Sequence, residues 1–275
     1  MAELNRSRGE APPKIVFRDI TKKFHTRKKT IVAVQDYNMT VEQGDFVSII
    51  GPSGCGKSTL IRILNGIIKP SSGSIMIDGK VLDTKKRFDQ KTLRQMGFIF
   101  QQPNMLPWYT IRQNIALPLK VFGIDTPEHN SYVDEMIELT GLSKYADAYP
   151  LEISGGALQR AGVARAMVHQ PEILLMDEPF GALDEMLREQ LNMELLAIWK
   201  RLNITIIFIT HNVEEAVLLS NSIYVMATEP GRLVKKVDIE LDRPRTLDMI
   251  TQPNFASYIQ HLVNLIGAVE LRQIK

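Results

Sequence analysis

Short apolar runs alternate along the chain with longer stretches whose apolar positions recur every three or four residues, the pattern of strands interleaved with helices. Lys14 to Ile20 alternates around Ile15 and Phe17 and predicts an edge strand. Phe24 follows, then a basic tract, His25 to Lys29, that predicts a solvated hairpin tip, and Ile31 to Val41 returns to strand character. Phe46 to Ile50 is a β-branched strand, and Thr59 to Leu64 has the spacing of a helix start. Ser74 to Asp78 predicts a strand closed by an Asp78-Gly79 hairpin turn. Gly97 to Gln101 reads as a buried strand, broken by Gln101-Gln102-Pro103.

No parallel-sheet strand is evident from Asn104 to Ala148, where helices are predicted over Ile111 to Phe122 and Ser131 to Leu139. Ile153-Ser154-Gly155-Gly156 opens a further helix, Ala157 to Val168. Ile173 to Met176 is continuously apolar, as a strand covered on both faces should be, and runs into Asp177-Glu178. After a turn at Gly181 to Asp184, the helix over Glu185 to Leu202 should bury Leu187, Leu191, Leu195, Ile198 and Leu202. Thr205 to Thr210 predicts another buried strand, ending at His211, and Asn212 caps the helix after it. Ser222 to Met226 predicts a core strand and Leu233 to Leu241 an edge strand. Pro253 to Ile266 places Phe255, Ile259, Leu262 and Ile266 on one helical face.

Length and composition narrow the class. The 275 residues make one or at most two domains, and a hydrophobic fraction of 44% supplies a sizeable core. A net charge of +2 lacks the basic stripe that a nucleic-acid partner requires. The single cysteine, Cys55, excludes an internal disulfide and reads as a small residue fitted to a tight turn. No run of eighteen apolar residues is present to span a membrane. Residues 1–13 are polar and proline-bearing, without an apolar signal region, and read as a disordered lead-in to a cytosolic chain.

The strongest chemical signal is Gly51, Pro52, Ser53, Gly54, Cys55, Gly56, Lys57, Ser58 and Thr59, which fits the phosphate-cradling pattern G-x-x-x-x-G-K-[ST]. Between a strand and a helix, such a loop aims backbone N–H groups and the positive helix end at one spot. Lys57 adds a mobile cation for the outer phosphates, and Ser58 a hydroxyl for Mg²⁺. A parallel sheet would bring Gly51, Gln101, Asp177-Glu178 and His211 to one edge, where ligands of open α/β sheets bind. There Asp177 would hold Mg²⁺ and Glu178 would deprotonate the attacking water. Gln101 would sense metal and water, and His211 would hydrogen-bond the γ-phosphate of ATP. Phe24 is either a core aromatic or a platform for adenine. Ser154-Gly155-Gly156 sits at a helix start with no anion of its own, which points to a two-fold dimer in which each chain covers the other's nucleotide.

Over about Lys14 to Glu240 the sequence resembles the ATPase subunit of an ABC transporter. Phe24 matches the adenine-stacking aromatic, Gly51 to Thr59 the Walker A loop, Gln101 the Q-loop, and Ile153 to Leu158 the signature motif. Ile173 to Asp177 matches Walker B, Glu178 the catalytic base, Ala182 to Asp184 the D-loop and His211 the switch histidine. The signature departs from Leu-Ser-Gly-Gly-Gln, reading Ile153-Ser154-Gly155-Gly156-Ala157. The resemblance implies a P-loop NTPase (RecA-like) α/β fold: a parallel-sheet core, an N-terminal antiparallel β subdomain and an all-helical insertion at about residues 104–165. The ATPase domain would span residues 14–240 and a C-terminal extension residues 241–275.

The segment Phe100 to Trp108 and the tail Arg243-Pro244-Arg245 resemble the nitrate/sulfonate/taurine branch of importers. That implies a homodimer, peripheral on the cytoplasmic face of the membrane, working with a separate permease and a substrate-binding protein. A non-transport ATPase and an exporter subunit are the alternatives. Met105, Leu106, Trp108 and Tyr109 either pack inside the insertion or form the groove that receives the permease.

Overall fold

The computed structural model describes residues 12–271, with side chains to residue 268, so most of the expected lead-in lies outside the described residues. Among the described residues the strands form two sheets. The first has the order β2-β1-β4-β5 and is antiparallel. It comprises β1 (Ile15–His25), β2 (Thr30–Val41), β4 (Ser72–Ile77) and β5 (Lys80–Val81). The predicted hairpin tip is present, with Thr26 N–H donating to Lys29 O at 2.9 Å. β1 is not the edge strand its alternation predicts: β2 and β4 pair with it on either side. An antiparallel strand with one wet face carries the same apolar–polar alternation as an edge strand. Phe17 and Tyr37 pack edge-on beneath it, ring centroids 6.3 Å apart.

The second sheet has the order β10-β9-β3-β8-β7-β6. It comprises β3 (Phe46–Ile50), β6 (Met96–Ile99), β7 (Ile173–Asp177), β8 (Thr205–Ile209), β9 (Ser222–Ala227) and β10 (Arg232–Asp238). Five strands run parallel, and β10 pairs antiparallel at the edge. Every residue of β3, β7 and β8 is buried, because layers cover both faces. β6 stops at Ile99, two residues short of the predicted Gln101. Its Gly97 admits the helix behind it: a Cβ there would stand 2.2 Å from Ala166 O.

The helices are α1 (Lys57–Leu64), α2 (Gln90–Arg94), α3 (Ile111–Val121), α4 (Pro127–Leu139), α5 (Gly155–Met167), α6 (Glu185–Leu202), α7 (Val213–Leu219) and α8 (Pro253–Leu271). α1 and the antiparallel sheet pack on one face of the parallel sheet, and α5, α6, α7 and α8 on the other. α3, α4 and α5 pack together as the helical insertion. α4 begins four residues before the predicted Ser131, because Thr126 caps it and Pro127 suits the first turn. α6 has its predicted bounds and buries Leu191, Leu195 and Ile198, but Leu187 in the first turn is only half-buried and Leu202 in the last turn is exposed, since the ends of a long helix reach past the layer it packs on. No helix among the described residues is long and apolar enough to cross a membrane.

The tail is built into the core. The guanidinium of Arg245, 3% exposed, donates to the carbonyls of Val217, Leu218 and Ser220 at the end of α7 and of Ile239 and Leu241. The negative end of a helix favours a cation there. Arg243 donates to Leu219 O at 2.8 Å and lies 4.3 Å over the ring of Trp199. Arg245→Ala should therefore strand buried carbonyls and cost roughly 3 kcal/mol of unfolding free energy in a denaturant titration, with Arg245→Lys recovering only part.

Candidate active site

Parallel register brings four loops to one edge of the sheet. Ile209 of β8 lies opposite both Ile49 of β3 and Asp177 of β7, and Met176 lies opposite Ile99 of β6. The ladder continues past β7, where Glu178 N–H donates to Ile209 O at 3.0 Å. The loops after these strands carry Gly51, Gln101, Glu178 and His211.

The glycine loop between β3 and α1 folds as only glycine allows. Gly51 has φ 154° and Gly56 φ 95°. A Cβ would stand 2.6 Å from Met226 O at Gly51 and 2.7 Å from Ala33 O at Gly56. Lys57 opens α1 and is buried, and its ammonium donates to Gly51 O at 2.8 Å and Pro52 O at 3.2 Å. The cation expected to be mobile is thus docked across the mouth of its own loop. Cys55 is fully buried, and burial pushes its thiol up against the opposing influence of Lys57. Such a thiol stays protonated and unreactive at neutral pH.

Ser58 Oγ donates to Asp177 Oδ1 at 2.7 Å, and Arg62 lies 3.5 Å from the other carboxylate oxygen. Burial raises the Asp177 carboxyl, opposed by the Ser58 hydrogen bond and by Arg62. A hydroxyl and a carboxylate are hard oxygen donors suited to Mg²⁺. That ion takes only one or two protein ligands when phosphates supply others. Among the described residues no three of His, Cys, Asp or Glu come together as a metal-binding cluster.

Glu178 adopts the left-handed backbone, φ 48°, which costs a non-glycine residue about 1–3 kcal/mol and is concentrated at functional sites. Its Oε2 lies 3.4 Å from His211 Nδ1, so the two predicted residues meet across adjacent strand ends. Gln101 does not join them. It is exposed, and its side chain has no hydrogen bond to Ser58, Asp177, Glu178 or His211. Its backbone carbonyl instead accepts from Gln159 of α5 at 3.3 Å. Arg165 of α5 extends this grip, donating to Asn104 O at 3.0 Å and to Pro103 O.

Ser154 caps α5, accepting from Ala157 N–H at 3.3 Å, and Ser154 and Gly155 face outward. Gly156 is buried, and a Cβ there would stand 2.6 Å from Leu187. Phe24 is 39% exposed, which removes the core reading, and the Lys22 ammonium lies 4.9 Å from its ring centroid. Arg62 and Gln159 were not singled out from sequence. A polar residue within a helix gives no sign of which loop it reaches, although Arg62 lies one helical turn after Ser58.

The sequence model of the family described as ABC transporter matches residues 34–181. The nitrate import ATP-binding protein NrtD of Synechocystis sp. is 36% identical over 93% of this chain and 96% of its own length. The aliphatic sulfonates import ATP-binding protein SsuB of Bacillus cereus is 40% identical over 83% of this chain and 87% of its own. Among solved structures, a dimeric ATP-binding cassette in a post-hydrolysis state bound to ADP and Pi superposes with TM-score 0.73 at 29% identity, over 83% of this chain and 100% of that one.

The buried thiol generates a test. In the native chain Cys55 should react with an aromatic disulfide reagent at least about 100-fold more slowly than after denaturation. Cys55→Ala should keep ATP affinity within about threefold, measured by titration calorimetry, because the loop presents backbone N–H groups rather than sulfur.

Proposed function

The chain belongs to the ABC transporter family and is an ATP-binding ATPase subunit of it; from that premise we propose that it powers an importer, hydrolysing ATP between two copies of itself. The observation that carries this reading is the Glu178–His211 pair, 3.4 Å apart beside the Lys57 loop and on backbone strained for Glu178. Lys57 exchanges Gly51 O and Pro52 O for phosphate oxygens, and residues 51–59 supply backbone N–H groups. Ser58 and Asp177 would hold Mg²⁺, Gln101 would have to swing in from its exposed position to reach the ion, and the ion would supply charge neutralisation at the phosphates. Glu178 takes the proton of the attacking water, and His211 donates a hydrogen bond to the γ-phosphate. Phe24 offers its exposed ring to adenine.

Ser154 and Gly155 face outward at the start of α5 and share no hydrogen bond with the glycine loop. That supports their acting on the nucleotide of a second copy, where the helix N-terminus meets the γ-phosphate.

The permease docks beside the Gln101 loop. Asn114 shapes this segment: its Oδ1 accepts from Leu106 N–H at 2.8 Å, and its amide donates to the carbonyls of Leu106, Tyr109 and Thr110. Met105, Leu106 and Tyr109 are half-buried, and Trp108 is 67% exposed. Ile111 N–H donates to Ala148 O, drawing in the run that carries Tyr149 and Leu151, themselves 46% and 90% exposed. Exposed aromatic and aliphatic side chains on one rim suit a partner's short helix. With nitrate and sulfonate importers among the relatives, the cargo is a small anion or sulfonate-like nutrient. It is delivered by a substrate-binding protein to a permease whose cytoplasmic face this subunit covers.

Glu178→Gln should keep ATP affinity, lower kcat by on the order of 10²–10³-fold and accumulate a nucleotide-bound dimer in gel filtration. Near wild-type turnover would remove Glu178 as the base. Trp108→Ala should leave basal ATPase and thermal stability within error, yet weaken capture of the permease in detergent by about tenfold or more. A stability loss with undiminished capture would return Trp108 to a packing role.

A further inference from the structure

Helix α7 begins at Val213, with its cap Asn212 following His211, and its first turn contains a carboxylate that the hydrolytic reading does not use. Glu215 is 6% exposed. Thr210 Oγ1 donates to Glu215 Oε2, and the same hydroxyl oxygen accepts from Asn212 N–H at 2.9 Å. Glu215 N–H in turn donates to Asn212 Oδ1 at 3.0 Å. These three bonds close a ring through Thr210, Asn212 and Glu215, and the residue enclosed between the first two is His211.

A helix cap does not need this arrangement. Asn212 already satisfies the first turn, and Glu214 already places a negative charge at the helix start. The Glu215 side chain nevertheless turns inward. Burial raises its carboxyl, opposed by Thr210 and by Asn192 of α6, and its Oε1 has no hydrogen-bond partner. The charges of Arg188 and of His211 also favour its ionised form. An apolar side chain of similar size would fill the same space at lower cost. What the carboxylate provides is a fixed acceptor for the Thr210 hydroxyl.

That anchor matters because the sheet holds this turn weakly. Thr210 N–H reaches Ile49 O at a long 3.4 Å, and the His211 side chain is 58% exposed, with Glu178 its partner at 3.4 Å. A displacement of about 1 Å at such a contact is worth up to roughly 100-fold in rate. We infer that Glu215 is a positioning residue for His211, holding the turn that carries the imidazole against Glu178 through the Thr210 hydroxyl. The inference rests on the proposed role of His211 in hydrolysis, and its test separates the two.

Glu215→Leu removes the acceptor at similar volume, and Glu215→Gln keeps an amide oxygen that accepts from Thr210. In the full chain Glu215→Leu should lower kcat about tenfold with KM for ATP within about twofold, and Glu215→Gln should recover to within about threefold of wild type. In a His211→Ala background, Glu215→Leu should cause no further loss. A readout free of turnover comes from ¹³C-histidine labelling. Of five histidines in the chain, the His211 ring signal is the one that disappears in His211→Ala. It should move in Glu215→Leu and return in Glu215→Gln. Thr210→Val, with Thr210→Ser as its control, breaks the same ring should Glu215→Leu fail to fold. An unmoved His211 signal overturns the proposal, as does a kcat loss that glutamine does not restore or that persists in His211→Ala. Full turnover by His211→Ala overturns instead the role of His211 in hydrolysis, and the histidine signal still decides whether Glu215 positions it.

Discussion

The parallel ladder through β3, β8 and β7 is the constraint on which the site depends. Parallel pairing in register places three strand ends side by side, so loops distant in sequence open onto one line. A one-residue slip of β7 against β8 would turn the Asp177 side chain to the opposite face of the sheet, away from Ser58. The register is secured by burial on both faces, because every residue of these strands is apolar or paired within the core. Ser48 shows the rule at its limit: its hydroxyl is fully buried and bonded to Ser220 Oγ at 2.5 Å.

On that fixed edge the candidate site groups are held by very different means. The glycine loop is fixed by close backbone packing that no Cβ could enter. Asp177 is fixed by Ser58 and Arg62 within a buried layer. Glu178 is fixed by its own left-handed backbone, whose N–H is tied to Ile209 O. His211 alone stands largely in solvent on a turn anchored through side chains. Of these groups His211 is therefore the one free to adjust, and the rest are set by backbone or by burial.

Much of this was legible in the sequence. The buried strands β3, β7 and β8 appear as short, mostly apolar runs, and the bounds of α6 follow from the turn that ends at Asp184 and a steady helical spacing. The antiparallel sheet was less legible, because a strand wet on one face and an edge strand carry the same alternation, as β1 shows. Of the site, the glycine loop and the residues closing β7 and β8 were readable, since each stands at an abrupt change from apolar to polar. The Glu178–His211 pairing required only that the sheet be parallel. What stayed hidden is carried by long side chains that reach across elements. Arg62, Gln159 and Arg245 sit in ordinary polar positions, and only the fold reveals which carbonyl or carboxylate each one meets. The docked Lys57 was hidden for a related reason, since its partners are backbone oxygens.

The joint between α5 and the loop at residues 101–104 has one peculiarity of construction. Gln159 and Arg165 grip carbonyl oxygens of Gln101, Pro103 and Asn104, and none of that loop's side chains. A carbonyl is the same in every residue. The fastening therefore reads the loop's backbone shape, including the left-handed turn at Asn104, φ 48°, and is strict about the two letters written in the helix. Side chains of the loop that respect that backbone can change without unhooking it from the helix beneath. One ATPase body can in this way take a rewritten outer surface without rebuilding the joint that carries it.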